Sequence, residues 1–100
     1  MHYDYLMEQI KSELSKGNYV IFGGKGFDMD VENFEFREDC DAHGMTIVGI
    51  DTTGELILDS WGMKARIDLK KELSRLNTMF KDRSNNMTER IFTISSYSIN

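Results

Sequence analysis

The stretch richest in groups that could do chemistry is 28–41. There Asp28, Asp30, Glu32, Glu35, Glu38, Asp39 and Asp41 put seven carboxylates into fourteen positions, answered only by Arg37. Alternate carboxylates can converge on a hard cation, as in a calcium loop that opens Asp-x-Asp-x-Asp-Gly. Here Asn33 takes the glycine position and Glu35 stands where an apolar β-branched residue is usual. On an extended strand, side chains two apart share a face. Asp28, Asp30 and Glu32 are therefore expected to form a negative stripe rather than a cage, and the stretch reads as a surface offered to a partner, with no metal.

Three other stretches invite a chemical reading. Cys40 and His43 sit three apart beside Asp39 and Asp41, which could in principle supply ligands to zinc. Paired ligand spacings are absent elsewhere, and neighbouring carboxylates disfavour the thiolate that a ligand or nucleophile requires. Gly23-Gly24-Lys25-Gly26 follows an apolar run but lacks the spacing and the hydroxyl residue of a phosphate loop, so a tight turn is expected. Residues 64–90 are basic, with Lys64, Arg66, Lys70, Lys71 and Arg75. A helix carrying such residues on its outer side could touch phosphates. Asp68, Glu72 and Asp82 interrupt the positive run, and a solvated helix face accounts for it without nucleic acid.

The elements that must position these residues follow from periodicity. Residues 44–61 read as a β-hairpin joined by Asp51-Thr52-Thr53-Gly54, where Asp opens the turn and Gly accepts positive φ. Both arms carry apolar residues on both faces, so this hairpin is expected at the centre of a sheet with neither face wet. Tyr3, Leu6, Met7, Ile10 and Leu14 share one face of a helix over 3–16, and Gly17 marks its end. An apolar run over 18–22 predicts a strand, 27–37 a second strand with Phe34 and Phe36 on one side, and 38–43 a polar loop. Asp68 is the expected N-cap of a second helix built on Leu69, Leu73, Leu76 and Phe80, fraying near 84–86. A last strand over 90–99 puts Ile91, Thr93, Ser95, Tyr97 and Ile99 on one face, at or near a sheet edge. The fold class is α+β in the order α-β-β-β-β-α-β, a mostly antiparallel sheet of about five strands with two helices packed on it.

Composition bounds the rest. One hundred residues, 40% of them hydrophobic, make a single domain spanning 1–100. One cysteine permits no internal disulfide, and neither a membrane-length apolar run nor a basic, then apolar, leader is visible, so a cytoplasmic protein is expected. The net charge of −5 is unevenly spread: residues 1–63 carry −9 and residues 64–100 carry +4. In so small a domain the two halves come within about one or two Debye lengths, so mutual neutralisation is expected. In length and acidity the chain resembles small phage- or mobile-element-borne inhibitors that occupy nucleic-acid-binding grooves, a likeness of profile and not of motif. The reading is a non-enzymatic binding or inhibitor protein, without cofactor, that meets a basic protein surface through the acidic residues of 28–41. Its rivals are phosphate contact through 64–90 and a metal-dependent enzyme around Cys40 and His43.

Overall fold

The computed structural model describes residues 2–32, 37–40, 43–82 and 84–98, with the backbone alone for 37–40. The chain runs α1 (Tyr3–Ser15), β1 (Tyr19–Lys25), β2 (Phe27–Val31), β3 (Arg37–Cys40), β4 (His43–Ile50), β5 (Leu56–Ser60), β6 (Met63–Ile67), α2 (Leu69–Arg75), β7 (Met79–Lys81), β8 (Met87–Glu89) and β9 (Ile91–Tyr97). Seven strands form one antiparallel sheet in the order β3-β2-β6-β5-β4-β1-β9, and β7-β8 is a separate hairpin. The α+β class and the two helices on an antiparallel sheet are as the periodicity predicts, with more strands than expected.

The expected hairpin is β4–β5, and it lies inside the sheet. Its turn closes as the residue types dictate: Asp51 Oδ1 accepts from the backbone N–H of Thr53 and of Glu55, each at 2.9 Å, and Gly54 sits at φ 88°. Helix α1 ends on Gly17 at φ 78°, with Gly17 N–H donating to Leu14 O and Asn18 N–H to Glu13 O. That is the two-bond Schellman stop, which satisfies carbonyls a helix end otherwise leaves bare. Asp68 caps α2 through Lys71 N–H at 3.1 Å.

One face of the sheet carries the core. Met7 and Ile10 of α1 and Leu69 of α2 pack with Val20, Phe22, Phe27, Val31, Ile47, Leu56, Leu58 and Ile67 in one cluster. The other face is open to solvent at the central hairpin, which corrects the expectation that this hairpin is dry on both sides. Val48 is 54% exposed there and Ile57 is half-buried. A bulge between Ile47 and Gly49 shifts the register on that side.

Two further expectations are corrected. The strand over 27–37 is two strands: β2 stops at Val31, and β3 returns beside it with Met29 opposite Arg37 and Phe27 opposite Cys40. Phe34 and Phe36 lie outside the described residues. The second helix is shorter than Leu76 and Phe80 implied. It stops at Arg75, Leu76 turns extended at ψ 137°, and Asn77 takes φ 65°. Phe80 then belongs to β7, where it is buried with its ring against Gly26.

Candidate partner-binding surface

Strand β2 alternates as the sequence requires. Phe27, Met29 and Val31 enter the core, and Asp28 and Asp30 take the other face. Their fates diverge because α2 follows directly on β6 and lands beside the start of β2. Asp28 is only 6% exposed. Its carboxylate meets Lys71 Nζ at 2.8 Å and the guanidinium of Arg75. Its backbone N–H donates to Glu72 Oε1 at 3.2 Å, and Arg75 reaches the same oxygen at 3.3 Å. Burial pushes the Glu72 carboxyl above its ordinary value of 4.5, and the Asp28 charge adds to that, against the lowering effects of the Asp28 amide, Arg75 and Lys71. Two carboxylates and two cations thus join β2 to α2, and Asp28 is withdrawn from the expected stripe.

Asp30 and Glu32 remain exposed. Glu32 follows the end of β2, with its backbone N–H on Lys64 O at 2.8 Å and its Oε2 accepting from Lys64 N–H at 3.3 Å. Glu38 and Asp39 fall on β3, the terminal strand of the sheet. Their side chains, and all of Glu35 and Asp41, lie outside the described residues.

Strand periodicity does not reveal what stands beside Glu32. The β5–β6 connection is two residues long, and both have positive φ: Trp61 at 54° and Gly62 at 80°. Glycine takes the second position without strain, whereas tryptophan in the first is costly. Asp59 Oδ1 steadies the turn by accepting from Gly62 N–H at 3.1 Å. Trp61 is 87% exposed. Lys64 faces Asp59 across the hairpin, so Glu32, Lys64, Asp59 and Trp61 occupy adjoining positions at one end of the sheet, with Asp30 one step inward. A local signal existed, since Trp-Gly between two runs with apolar residues at alternate positions has the length of a tight hairpin turn.

His43 approaches this corner from the core side. Its Nε2 is 3.1 Å from Ser60 Oγ, and its ring centre is 6.2 Å from that of Trp61. Ser60 is 7% exposed, and a buried hydroxyl needs such a partner. The Cys40 side chain is outside the described residues, so its relation to His43 is not part of this geometry. Among the described residues, no three His, Cys, Asp or Glu side chains are grouped to hold a metal ion.

The basic residues of 64–90 are largely engaged. Arg66 bonds Asp51 Oδ2 at 2.9 Å, Lys70 lies 5.4 Å over the Tyr3 ring, and Lys71 and Arg75 hold Asp28. These contacts join the acidic and basic halves of the chain. A groove of about 620 Å³ beside α1 is lined by Asp4, Lys11 and the 51–54 turn, where Tyr3 Oη donates to Gly54 O at 3.0 Å. No described helix is long and apolar enough to cross a membrane. Comparison with family models, with curated proteins and with solved structures gave no match.

Proposed function

We propose that this is a non-enzymatic binding protein that docks on a basic protein surface, of the kind that otherwise takes nucleic-acid phosphates, through Trp61 and the exposed carboxylates Asp30, Glu32 and Asp59. One observation carries the reading: a tryptophan held almost wholly in solvent, in a backbone region that tryptophan disfavours, among exposed carboxylates. Residues kept in strained conformations cluster where function requires them. Large exposed aromatics are common anchors of interfaces, and charged rims set approach and orientation. A partner's Arg or Lys can also lie over the indole face. The engagement of Lys70, Lys71 and Arg75 within the fold supports this reading over phosphate contact by α2.

Two substitutions separate the roles. Partners captured from a lysate of the source organism are identified, and the binding of each purified partner is followed kinetically. Asp30→Lys with Glu32→Lys is expected to lower the association rate and flatten its fall with ionic strength. Trp61→Asn keeps the turn, because Asn tolerates positive φ, and is expected to raise the dissociation rate by at least about tenfold, as loss of an anchor does. An association rate independent of salt, together with dissociation unchanged by Trp61→Asn, would overturn the proposal.

A further inference from the structure

Strand β9 closes the sheet at the edge opposite β3. It pairs with β1 along its whole length, from Tyr19 opposite Tyr97 to Lys25 opposite Ile91, without a register shift. Among the described residues no strand lies on its outer side. In an antiparallel strand, backbone groups of alternate residues point away from the paired neighbour, so β9 presents a row of donors and acceptors that only another extended strand can match. Sheet edges are ordinarily guarded by a charge, a proline or a bulge. Ile91-Phe92-Thr93-Ile94-Ser95-Ser96-Tyr97 has none of them.

We infer that β9 is a self-association edge: two copies of this chain pair their β9 strands antiparallel about a two-fold axis at Ile94, making one continuous sheet. Two independent features favour a second copy as the occupant. The first is self-complementarity. About Ile94, Ile91 faces the partner's Tyr97 and Thr93 faces the partner's Ser95 on the helix-free side, with the mirror-image contacts repeated. An aromatic with a β-branched residue, and Thr with Ser, are favourable cross-strand pairs, and no like charges meet. The cross-strand pairs are therefore uncharged although each molecule carries −5. The second is a groove of about 240 Å³ on the helix-covered side, with Leu6, Ile10, Val20 and Ile94 as its apolar lining and Gln9, Glu13 and Ser96 as its polar lining, Ser96 Oγ donating to Glu13 Oε1 at 3.3 Å. It opens beside the edge where the two-fold brings the partner's Ile94. An isologous contact of this kind closes at two copies and leaves no further edge of the same type.

The register is testable by charge. Thr93 is exposed and Ser95 half-buried, both on the helix-free face, so substitution there spares the core. Sedimentation equilibrium of the full chain over a concentration series is expected to show a monomer–dimer equilibrium. Thr93→Lys with Ser95→Lys sets like charges opposite each other twice across the seam and raises the dissociation constant by about tenfold or more. Thr93→Lys with Ser95→Glu sets opposite charges at the same two places and is expected to restore the dimer. A circular dichroism melt of each variant confirms that it is folded. A wild type that stays monomeric at its highest soluble concentration overturns the proposal. A dimer weakened equally by both double variants, or by neither, overturns the register and with it the seam.

Discussion

At the scale of single residues, the most consequential contact is the one that draws Asp28 out of its stripe. Strand periodicity made legible which face Asp28 occupies. It did not make legible what covers that face, because Lys71 and Arg75 come from a helix more than forty positions away. Removing one member of a buried charge group generally costs more than the group's net contribution to stability, since it strands the remaining charge. Glu72 gives the cluster a measurable pH signature. Its carboxyl is held above 4.5, chiefly by burial, so the fold favours its protonated form. Its contribution to stability is fully present below pH 4.5 and is lost as pH rises through the higher folded value. Glu72→Gln does not titrate and keeps an oxygen for the Asp28 amide. The stability of this variant relative to wild type is therefore expected to improve steadily as pH rises through that window, whatever the offset from losing the contact with Arg75. Denaturant midpoints of both proteins, taken at half-unit steps from about pH 4 to pH 7, read this difference directly. A difference that is constant or declining with pH would mean that Glu72 ionises in the fold at least as easily as in the unfolded chain.

At the scale of elements, what was legible was local. The 44–61 hairpin rests on an Asp-to-Gly turn and alternating strands, and the α1 stop on Gly17; both come from residues close in sequence. The end of α2 was not legible, because Phe80 lies four residues after Leu76 and fits a helical face as well as a strand. The decision is made at a distance. Arg90 N–H donates to Thr78 O at 2.7 Å and Asn77 N–H to Arg90 O at 3.1 Å, which pulls the chain into a hairpin. Arg90 also donates to Gly26 O at 2.5 Å and lies 5.5 Å over the Phe80 ring. The hairpin is thus clipped to the β1–β2 turn, and Gly26 is the seat. A Cβ there would fall 2.6 Å from Phe80 Cε1 and 2.9 Å from Arg90 Cγ, whereas at Gly17, with the same φ of 78°, it meets nothing within 4 Å. Gly17→Ala is expected to cost about 1–2 kcal/mol, the backbone penalty alone. Gly26→Ala carries that penalty and must also displace Phe80, so it is expected to cost clearly more. Equal losses in chemical denaturation would show that the hairpin is not seated on this turn.

For the molecule as a whole, the arrangement of strands predicts where it opens first. Strands β1, β4, β5 and β6 are flanked on both sides within the sheet, and their inward residues form the shared core with α1 and the start of α2. Opening any of them exposes much of that core at once, so their amides are expected to exchange with solvent only through global unfolding. Among the described residues the β7–β8 hairpin pairs with no strand of the seven-stranded sheet. It is attached through Phe80, Arg90 and the short link into β9, while Met79 and Met87 on its outer side are 52% and 56% exposed. Lifting it away sacrifices one buried ring and a few hydrogen bonds and leaves the main core intact. The amides of Asp82 and Arg90, bonded at 2.9 Å to Asn86 O and 2.7 Å to Thr78 O, are therefore expected to exchange by local opening, at a free energy below the global value. Those of Val20 and Leu58 are expected to exchange at the global value. Native-state hydrogen exchange across a series of sub-denaturing guanidinium concentrations distinguishes the two classes. The hairpin amides should show a small denaturant dependence, because little surface is exposed, and join the steeper isotherm of the central strands only near the unfolding transition. If Arg90 followed the steep isotherm from the lowest concentration, the hairpin would belong to the cooperative core, and the clip at Gly26 would hold as firmly as the sheet itself.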